Sequence, residues 1–308
     1  MKAKNKNIGL QINQISPAAN VVLSIFMIIL AAVFILPVIL IICISFSSEE
    51  SIRQIGYKFI PTEWSTYAYE YIINMSQGVW RCYANTIFYS VGGTVLSLII
   101  MSMFAYVLAR KEFKGRSAFA FYAFFTTLFS GGLVPQYILI TQWLDMYDSI
   151  WVFFLPNLVA AFNVIILRTF IQSTIHESLL ESAKLDGANE FQIYLRIVMP
   201  LFKAGLASVG LLTFVSKWND WFTGLTYVND LKLQPIMTFL QKMQRQLDLL
   251  NSATPEALSP DALAMLANMP GATARMAITI VSILPLLICY PFFQKYFVKG
   301  LTIGAVKG

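Results

Sequence analysis

Charged side chains are concentrated in the segment ESAKLDGANEFQIYLRIVMP, residues 181–200, of a chain in which only 12% of residues are charged. Carboxylates and basic groups at helical spacings form ion pairs and hydrogen bonds with neighbouring surfaces. No nucleophile with an adjacent base is evident in the sequence. The segment is therefore either an ordinary amphipathic loop or a surface for noncovalent docking to a partner, and covalent catalysis is not indicated. Its charged residues are Glu181, Lys184, Asp186, Glu190 and Arg196.

The sequence also lacks the patterns that handle a nucleotide or a metal ion. No G-K-[ST] occurs, so the Walker A loop that cradles ATP phosphates is absent. His176 is the only histidine, and we expect it at the surface. Cys43, Cys82 and Cys289 are scattered and show neither metal-ligand spacing nor a disulfide framework. We expect a non-enzymatic chain that binds no cofactor or metal ion itself and takes its energy from a partner.

Long apolar runs must position these polar residues. The chain has 308 residues, of which 57% are hydrophobic, and its mean hydropathy is +0.65. A membrane-spanning helix needs about 20 mostly apolar residues, and six runs meet this requirement. The sequence therefore predicts an all-α integral membrane protein with six transmembrane helices in a single domain of residues 1–308. The predicted spans are residues 20–46, 84–109, 117–141, 150–172, 204–227 and 272–297.

Basic residues assign the two sides of the membrane. They cluster before the first span, between the second and third, between the fourth and fifth, and after the sixth. The positive-inside rule places these four regions in the cytoplasm. The loop TQWLDMYDS, between the third and fourth spans, has Asp145 and Asp148 and no base. We therefore predict that both termini, and the charged segment between the fourth and fifth spans, are cytoplasmic.

Local signals divide this cytoplasmic segment into two short helices. Thr174 and Glu177 have capping-box spacing, which predicts a helix start. Gly187 can adopt a positive φ and end that helix, and Asn189 can cap a second one. Pro200 is expected to stop or kink the second helix where the fifth span begins. Such a surface helix, held between two rigid spans, can insert into a groove of a soluble partner.

The segment resembles the EAA loop of ATP-binding-cassette (ABC) importer permeases, whose pattern is E-A-A-three residues-G-nine residues-I-x-L-P. Ser182 and Met199 depart from that pattern by small changes in size or polarity. The stretch SKWNDWF, residues 216–222, resembles the W-N-[ED] segment of carbohydrate-uptake permeases, and FVKGLTIGAVKG resembles the C-terminus of the maltose-type small permease subunit. The residues that match the loop pattern or its D-G-A variant are Glu181, Ala183, Asp186, Gly187, Ala188, Ile197 and Pro200.

This resemblance implies a coupling helix, over about residues 177–186, that docks on a separate ATPase. It also implies a heterodimer with a second, homologous permease subunit, two ATP-binding subunits that hold ATP and Mg, and an extracytoplasmic solute-binding protein. No nucleic acid partner is expected. Through the C-terminal tail it implies a further ATPase contact at Gly304, Val306 and Lys307. The coupling residues that it implies are Glu181, Ser182, Ala183, Asp186, Gly187, Ala188, Ile197 and Pro200.

Polar residues in or near the ends of the spans are candidates for a solute path, because such residues tend to face a bundle interior or a water-filled route. Indole faces beside amide and carboxylate groups suit a sugar, which has apolar CH faces and many hydroxyls. Interhelical hydrogen bonds remain an alternative for Asn157 and Asn163, and an aromatic belt at the membrane interface for the tryptophans. The candidates are Gln136, Asn157, Asn163, Trp218, Asn219 and Asp220.

Together these patterns favour the permease subunit of an ATP-driven sugar importer in a bacterial cell membrane, with an oligosaccharide as solute. An importer of a glycerol-phosphate ester is the alternative within this class. The scarcity of basic groups outside the cytoplasmic face disfavours a strongly anionic solute. A stand-alone secondary transporter is the alternative from another class, and it is disfavoured because internal repeats and mid-span charges are not evident.

Overall fold

The structure is a computed structural model that describes residues 16–74, 78–252 and 271–305. Within these ranges the regular secondary structure is helical, with one isolated bridge between Ser47 and Trp64. Short π-helical turns cover Leu139–Trp143 and Tyr194–Val198, and a 3-10 turn covers Ile150–Phe153. The α-helices are α1 (Pro17–Ser45), α2 (Glu49–Ile55), α3 (Tyr67–Asn74), α4 (Val79–Ala109), α5 (Arg116–Leu128), α6 (Leu133–Ile138), α7 (Ala161–Thr174), α8 (Glu177–Leu185), α9 (Glu190–Ile193), α10 (Met199–Leu201), α11 (Lys203–Trp218), α12 (Phe222–Tyr227), α13 (Ile236–Ser252) and α14 (Ala272–Ala305).

Three helical stretches in the described residues are long and apolar enough to cross a membrane: Pro17–Ser45, Val79–Ala109 and Ala272–Pro291. Two bent helix pairs raise the number to five if each pair is counted as one span. The all-helical, multi-span character is therefore confirmed for the part of the chain that the structure describes. The count of six spans and the cytoplasmic termini stay predictions.

The predicted third span, residues 117–141, is not one continuous helix. Helix α5 ends at Leu128, and the chain then bends by 112° into α6 and the π-helical turn that ends at Trp143. Gly132 has a φ of 88°, a conformation that side-chain-bearing residues rarely adopt. The sequence SGGLVPQ therefore breaks the helix at its glycines, whereas Pro135 is tolerated in the first turn of α6.

The predicted fourth and fifth spans are also shorter than the apolar runs suggested. Residues 150–172 contain a 3-10 turn, then a non-helical stretch around Pro156, and α7 starts only at Ala161. Residues 204–227 contain a break after Trp218, where Asp220 accepts a hydrogen bond from the Thr223 amide at 3.0 Å at the start of α12. Proline and a local carboxylate cap thus interrupt runs that composition alone would extend. The last helix is longer than the predicted sixth span, because α14 continues past residue 297 to Ala305.

The described residues group into two compact units. The first contains residues 16–72 and 271–280, and the second contains the remaining described residues. In the first unit, the Glu49 carboxylate accepts hydrogen bonds from the Ala272 amide at 3.1 Å and the Thr273 amide at 3.0 Å. A carboxylate at this position caps the start of α14.

In the second unit, α4, α7 and α11 pack around a shared apolar core. Close approach between α7 and α11 is possible because position 205 is a glycine. A Cβ atom there would lie 2.9 Å from Cγ of Phe170. These three helices provide the frame to which the polar segments of the next section are attached. Residues buried in this core include Met101, Ala105, Leu108, Val164, Leu167, Ile193, Val198 and Val209.

The predicted topology can be tested directly with reporters. A reporter enzyme that is active only outside the membrane should be active when fused at residue 145 and silent when fused at residue 113. The loop ARKEFKGRS is rich in Lys and Arg, whereas TQWLDMYDS has neither, and loops rich in basic residues stay in the cytoplasm. Reporter activity in colonies, normalised to the amount of fusion protein, gives the measurement. Activity at residue 113 with silence at residue 145 would reverse the orientation.

Candidate functional site

Two short helices, α8 and α9, meet at Gly187. Residues 177–201, which we call the elbow, contain this junction. Gly187 has a φ of 82°. Its amide donates to the carbonyl of Lys184 at 3.0 Å, and the Ala188 amide donates to the carbonyl of Ala183 at 3.0 Å. These two bonds form the Schellman motif, which satisfies the last carbonyls of a helix. The predicted positive φ at Gly187 is confirmed.

The second elbow helix begins with the predicted cap. The Gln192 amide donates to Oδ1 of Asn189 at 2.8 Å, and the Asn189 amide donates to Oε1 of Gln192 at 3.0 Å. The capping box predicted for Thr174 and Glu177 is wrong, because Thr174 is the last residue of α7 and the N-cap of α8 is His176, without a side-chain hydrogen bond. A serine or threonine three residues before a glutamate thus occurs here without capping a helix.

The elbow exposes some of its predicted coupling residues and buries others. Ala183 is buried against the core, and Ala188 and Ile197 are partly buried. Leu185 is not among the predicted coupling residues, yet its exposed fraction is 89% although it is apolar. An apolar side chain at the tip of a surface helix is a candidate contact for a partner. The predicted coupling residues that are exposed are Glu181, Ser182, Asp186, Gly187 and Pro200.

A cluster of ionic and polar groups joins the elbow to the end of α4. We call these five residues the elbow anchor: Tyr106, Arg110, Glu112, Lys184 and Glu190. Nη2 of Arg110 donates to Glu190 at 3.2 Å and to Glu112 at 3.3 Å, and the Tyr106 hydroxyl donates to Glu190 at 2.5 Å. Lys184 pairs with Glu190 at 2.9 Å and also with Glu112. The anchor thus ties both elbow helices to one transmembrane helix.

Outside the elbow anchor, Lys111 pairs with Glu177 in a further link to α8. Neither this link nor the elbow anchor was predicted from the sequence, because ARKEFKGRS was interpreted only as a marker of membrane orientation. The available signal was Glu112, the one acidic residue in this otherwise basic turn, because an acidic residue there does not contribute to the positive charge that marks membrane orientation.

Glu112 and Lys184 of the elbow anchor both keep their charges at neutral pH. The hydrogen bond from Lys184 lowers the pKa of Glu112 from its usual value of 4.5, and the same bond raises the pKa of Lys184 above 10.5. A depressed carboxyl pKa means that the favourable contribution of Glu112 is present above its unfolded pKa and is lost as the pH falls through the folded pKa. Neither group therefore changes charge near pH 7.

Three of the six solute-path candidates lie together. Asn157, Asn163 and Asp220 line a cavity of about 370 Å³ between α4, α7 and α11. Lys217, which the sequence analysis did not single out, lines the same cavity. The Asn163 amide donates to Oγ1 of Thr213 at 3.3 Å, so this residue also makes an interhelical hydrogen bond.

The other three candidates lie outside this cavity lining. Gln136 is exposed on α6. Trp218 is buried, lines a separate apolar cavity, and donates its indole N–H to the carbonyl of Ser282 at 3.3 Å. Asn219 donates to the carbonyl of Val215 at 2.9 Å and so caps its own helix.

The remaining predicted sites are only partly covered by the described residues. Gly304 lies in α14, whereas Val306 and Lys307 lie outside the described residues. Within the described residues, no group of three His, Cys, Asp or Glu side chains has metal-binding geometry.

Comparison with known proteins identifies the family. The sequence profile described as "Binding-protein-dependent transport system inner membrane component" matches residues 94–303. The polygalacturonan/rhamnogalacturonan transport system permease protein YtcP of Bacillus subtilis is 36% identical, over 92% of this chain and 96% of its own length. Protein LplC of the same organism is 36% identical over 90% of both chains.

A solved structure supports the same relationship. It is the crystal structure of a bacterial ABC transporter involved in the import of the acidic polysaccharide alginate. One of its chains matches with a TM-score of 0.75 and 34% identity, over 90% of this chain and 96% of that chain. The profile match covers more than half of the sequence, and the apolar helices fit a multi-pass protein of the bacterial plasma membrane. The chain therefore belongs to the family of binding-protein-dependent transport system inner membrane components, the permeases of ABC transporters.

Proposed function

We propose that this chain forms part of the translocation path of an ATP-driven importer for a sugar, specifically an oligosaccharide, and that the elbow couples this path to a separate ATPase. The observation that carries the coupling role is the exposed tip of α8 on a rigidly attached elbow. Leu185 and Glu181 face outward, while the elbow anchor holds the neighbouring Lys184, at the same end of α8, and links it through Glu190 to Arg110 at the end of α4. A force applied at the tip is therefore transmitted to a transmembrane helix rather than absorbed by a loose loop.

Membership of the family supports a binding protein and an ATPase as partners. We further propose two ATP-binding subunits that hold ATP and Mg, and a second, homologous permease subunit. Closure of the ATPase pair would move both elbows together, and each anchor would pass that motion to its own α4. The C-terminal residues Gly304, Val306 and Lys307 are proposed as a second contact with the ATPase.

The oligosaccharide assignment rests on the relatives and on the cavity. The name of YtcP refers to polygalacturonan/rhamnogalacturonan, and the solved structure concerns alginate import. The cavity beside α11 is lined by amide, hydroxyl and charged groups, which suit a hydroxyl-rich solute.

Reconstitution tests the proposal. The tagged chain, co-expressed with the second permease and the ATPase from its own genome, should purify with the ATPase. In proteoliposomes this complex should take up a labelled oligosaccharide only with its binding protein outside and ATP inside. The tagged chain reconstituted alone should give no uptake. Solute accumulation by the chain alone, driven by an ion gradient, would contradict the coupling to an ATPase.

A further inference from the structure

Lys217 places a positive charge inside the transmembrane bundle. It lies in the last turn of α11 and lines the cavity of about 370 Å³ together with Asn157, Asn163 and Asp220. Its ammonium group donates to the main-chain carbonyl of Asn157 at 3.4 Å. Ionisable groups within transmembrane segments are rare because desolvation is unfavourable, and they tend to mark solute or ion pathways.

The lysine side chain is directed across α4 by a glycine on that helix. A Cβ atom at Gly93 would lie 2.8 Å from Cδ of Lys217 and 3.2 Å from its Nζ. Any residue other than glycine would therefore push the lysine away. A lysine that served only to complement the helix dipole or to reach the membrane surface would extend outward along α11. Contact with Gly93 shows that Lys217 instead lies between α4 and α11.

Lys217 forms no ion pair among the described residues, although Asp220 lines the same cavity. No carboxylate there lies within 4.0 Å of its ammonium group, because the ion pairs of these residues involve other bases. Asp220, the acidic residue of the same cavity, already accepts a hydrogen bond from the Thr223 amide at 3.0 Å. An ammonium group has three donors, and one weak contact with a carbonyl leaves donors for a ligand.

The neighbouring groups indicate what kind of ligand would fit. Ser97 lines the cavity with a buried hydroxyl that has no hydrogen-bond partner within the described residues. The amide of Asn163 also reaches the cavity. Apart from the Asp220 carboxylate, which accepts from the Thr223 amide, the polar groups that line the cavity with Lys217 are neutral hydroxyls and amides, and one cation with free donors matches a monoanion that carries many hydroxyls. A phosphate ester carries nearly twice that charge and is usually held by several basic groups or a guanidinium fork.

We propose that Lys217 binds the carboxylate of an acidic sugar, so that the transported oligosaccharide contains hexuronate residues. This inference rests on the proposed function, and it adds the chemical class of the solute and the residue that selects it. Gly93 is a positioning residue, because it leaves the space in which the lysine reaches the cavity. The scarcity of basic residues disfavours a strongly anionic solute such as a phosphate ester, but a single well-placed lysine is sufficient for a carboxylate.

The test compares acidic and neutral forms of the same saccharides. Cells that carry the complete transporter are given labelled trigalacturonate or trimannuronate, or the carboxyl-reduced form of each. Lys217→Met should reduce uptake of the acidic forms by about thirtyfold or more, the range found when one member of a desolvated charge pair is removed. Uptake of the neutral forms should not fall. Lys217→Arg should retain most uptake of the acidic forms. Lys232→Met, at an exposed lysine outside the cavity, is the matched control.

A second variant tests the role of position rather than charge. Gly93→Ala keeps Lys217 but displaces its side chain, so KM for the acidic forms should rise while the neutral forms are unaffected. Immunoblots of membrane fractions check that each variant is inserted at the level of the unmodified protein.

The uptake results distinguish a failure of the inference about acidic sugars from a failure of the proposed importer function. Equal uptake of the acidic forms by Lys217→Met and the unmodified protein overturns the inference, and so does an equal loss for acidic and neutral forms. Uptake of neutral saccharides only, by the unmodified transporter, overturns the inference and leaves the proposed function intact. Failure of the unmodified transporter to take up any saccharide from a wider panel overturns the proposed function itself.

Discussion

Replacing Gly187 with valine is expected to reduce ATP-driven uptake by at least tenfold while the protein remains in the membrane. Gly187 has a φ of 82°, and a side chain in this left-handed region costs about 1–2 kcal/mol, more for a β-branched residue. Apart from Gly187 itself and its two chain neighbours, no described residue has a heavy atom within 4 Å of the position where a Cβ would be. The strain is therefore conformational and acts on the Schellman motif that orients α8 relative to α9.

A matched pair of substitutions separates backbone conformation from side-chain size. Asparagine tolerates the left-handed conformation better than other residues with side chains. Gly187→Asn should therefore retain more coupling than Gly187→Val, although both add a side chain at the same exposed position. Uptake and solute-stimulated ATP hydrolysis by the purified complex provide the measurements. Normal coupled hydrolysis in the valine variant would show that the conformation of this residue does not matter for docking.

The elbow could be predicted from sequence because its signals are local. A glycine after an apolar helical face, followed two residues later by asparagine, specifies a helix end and a helix start through hydrogen bonds between near neighbours. Gly187 and Asn189 both act as predicted. The cap predicted at Thr174 was wrong for an equally local reason: α7 extends through this residue, so it cannot be the N-cap of the next helix.

Features that depend on distant residues could not be predicted. Composition marked residues 150–172 as one span, but it cannot show that the helix begins only after Pro156 and Asn157. Arg110 and Glu190 are 80 residues apart, and only the packing of the elbow against α4 brings them together. Similarly, the position of Lys217 against Gly93 depends on how α11 crosses α4.

Removing the buried cation of the elbow anchor should uncouple the transporter without releasing its ATPase. The side chain of Arg110 is only 10% exposed, whereas that of Glu190 is 50% exposed. Loss of this pair should weaken the attachment of the elbow by about 1–3 kcal/mol, between the ranges for exposed and buried pairs. Because Leu185 and the rest of the exposed face are unchanged, Arg110→Met should still purify with the ATPase. Its solute-stimulated hydrolysis and uptake should fall about tenfold, while basal hydrolysis is maintained.

Lys114→Met is the control for this last prediction, because it removes a positive charge from the same loop. Lys114 is exposed and takes part in no ion pair among the described residues. It should therefore behave like the unmodified protein, and a similar loss in both variants would point to a general electrostatic effect of the positive charges in this loop. If Arg110→Met failed to bind the ATPase at all, the anchor would have to act by shaping the docking surface. Full coupling in Arg110→Met would mean that the remaining contacts of Lys184 and Tyr106 with Glu190 transmit the motion alone.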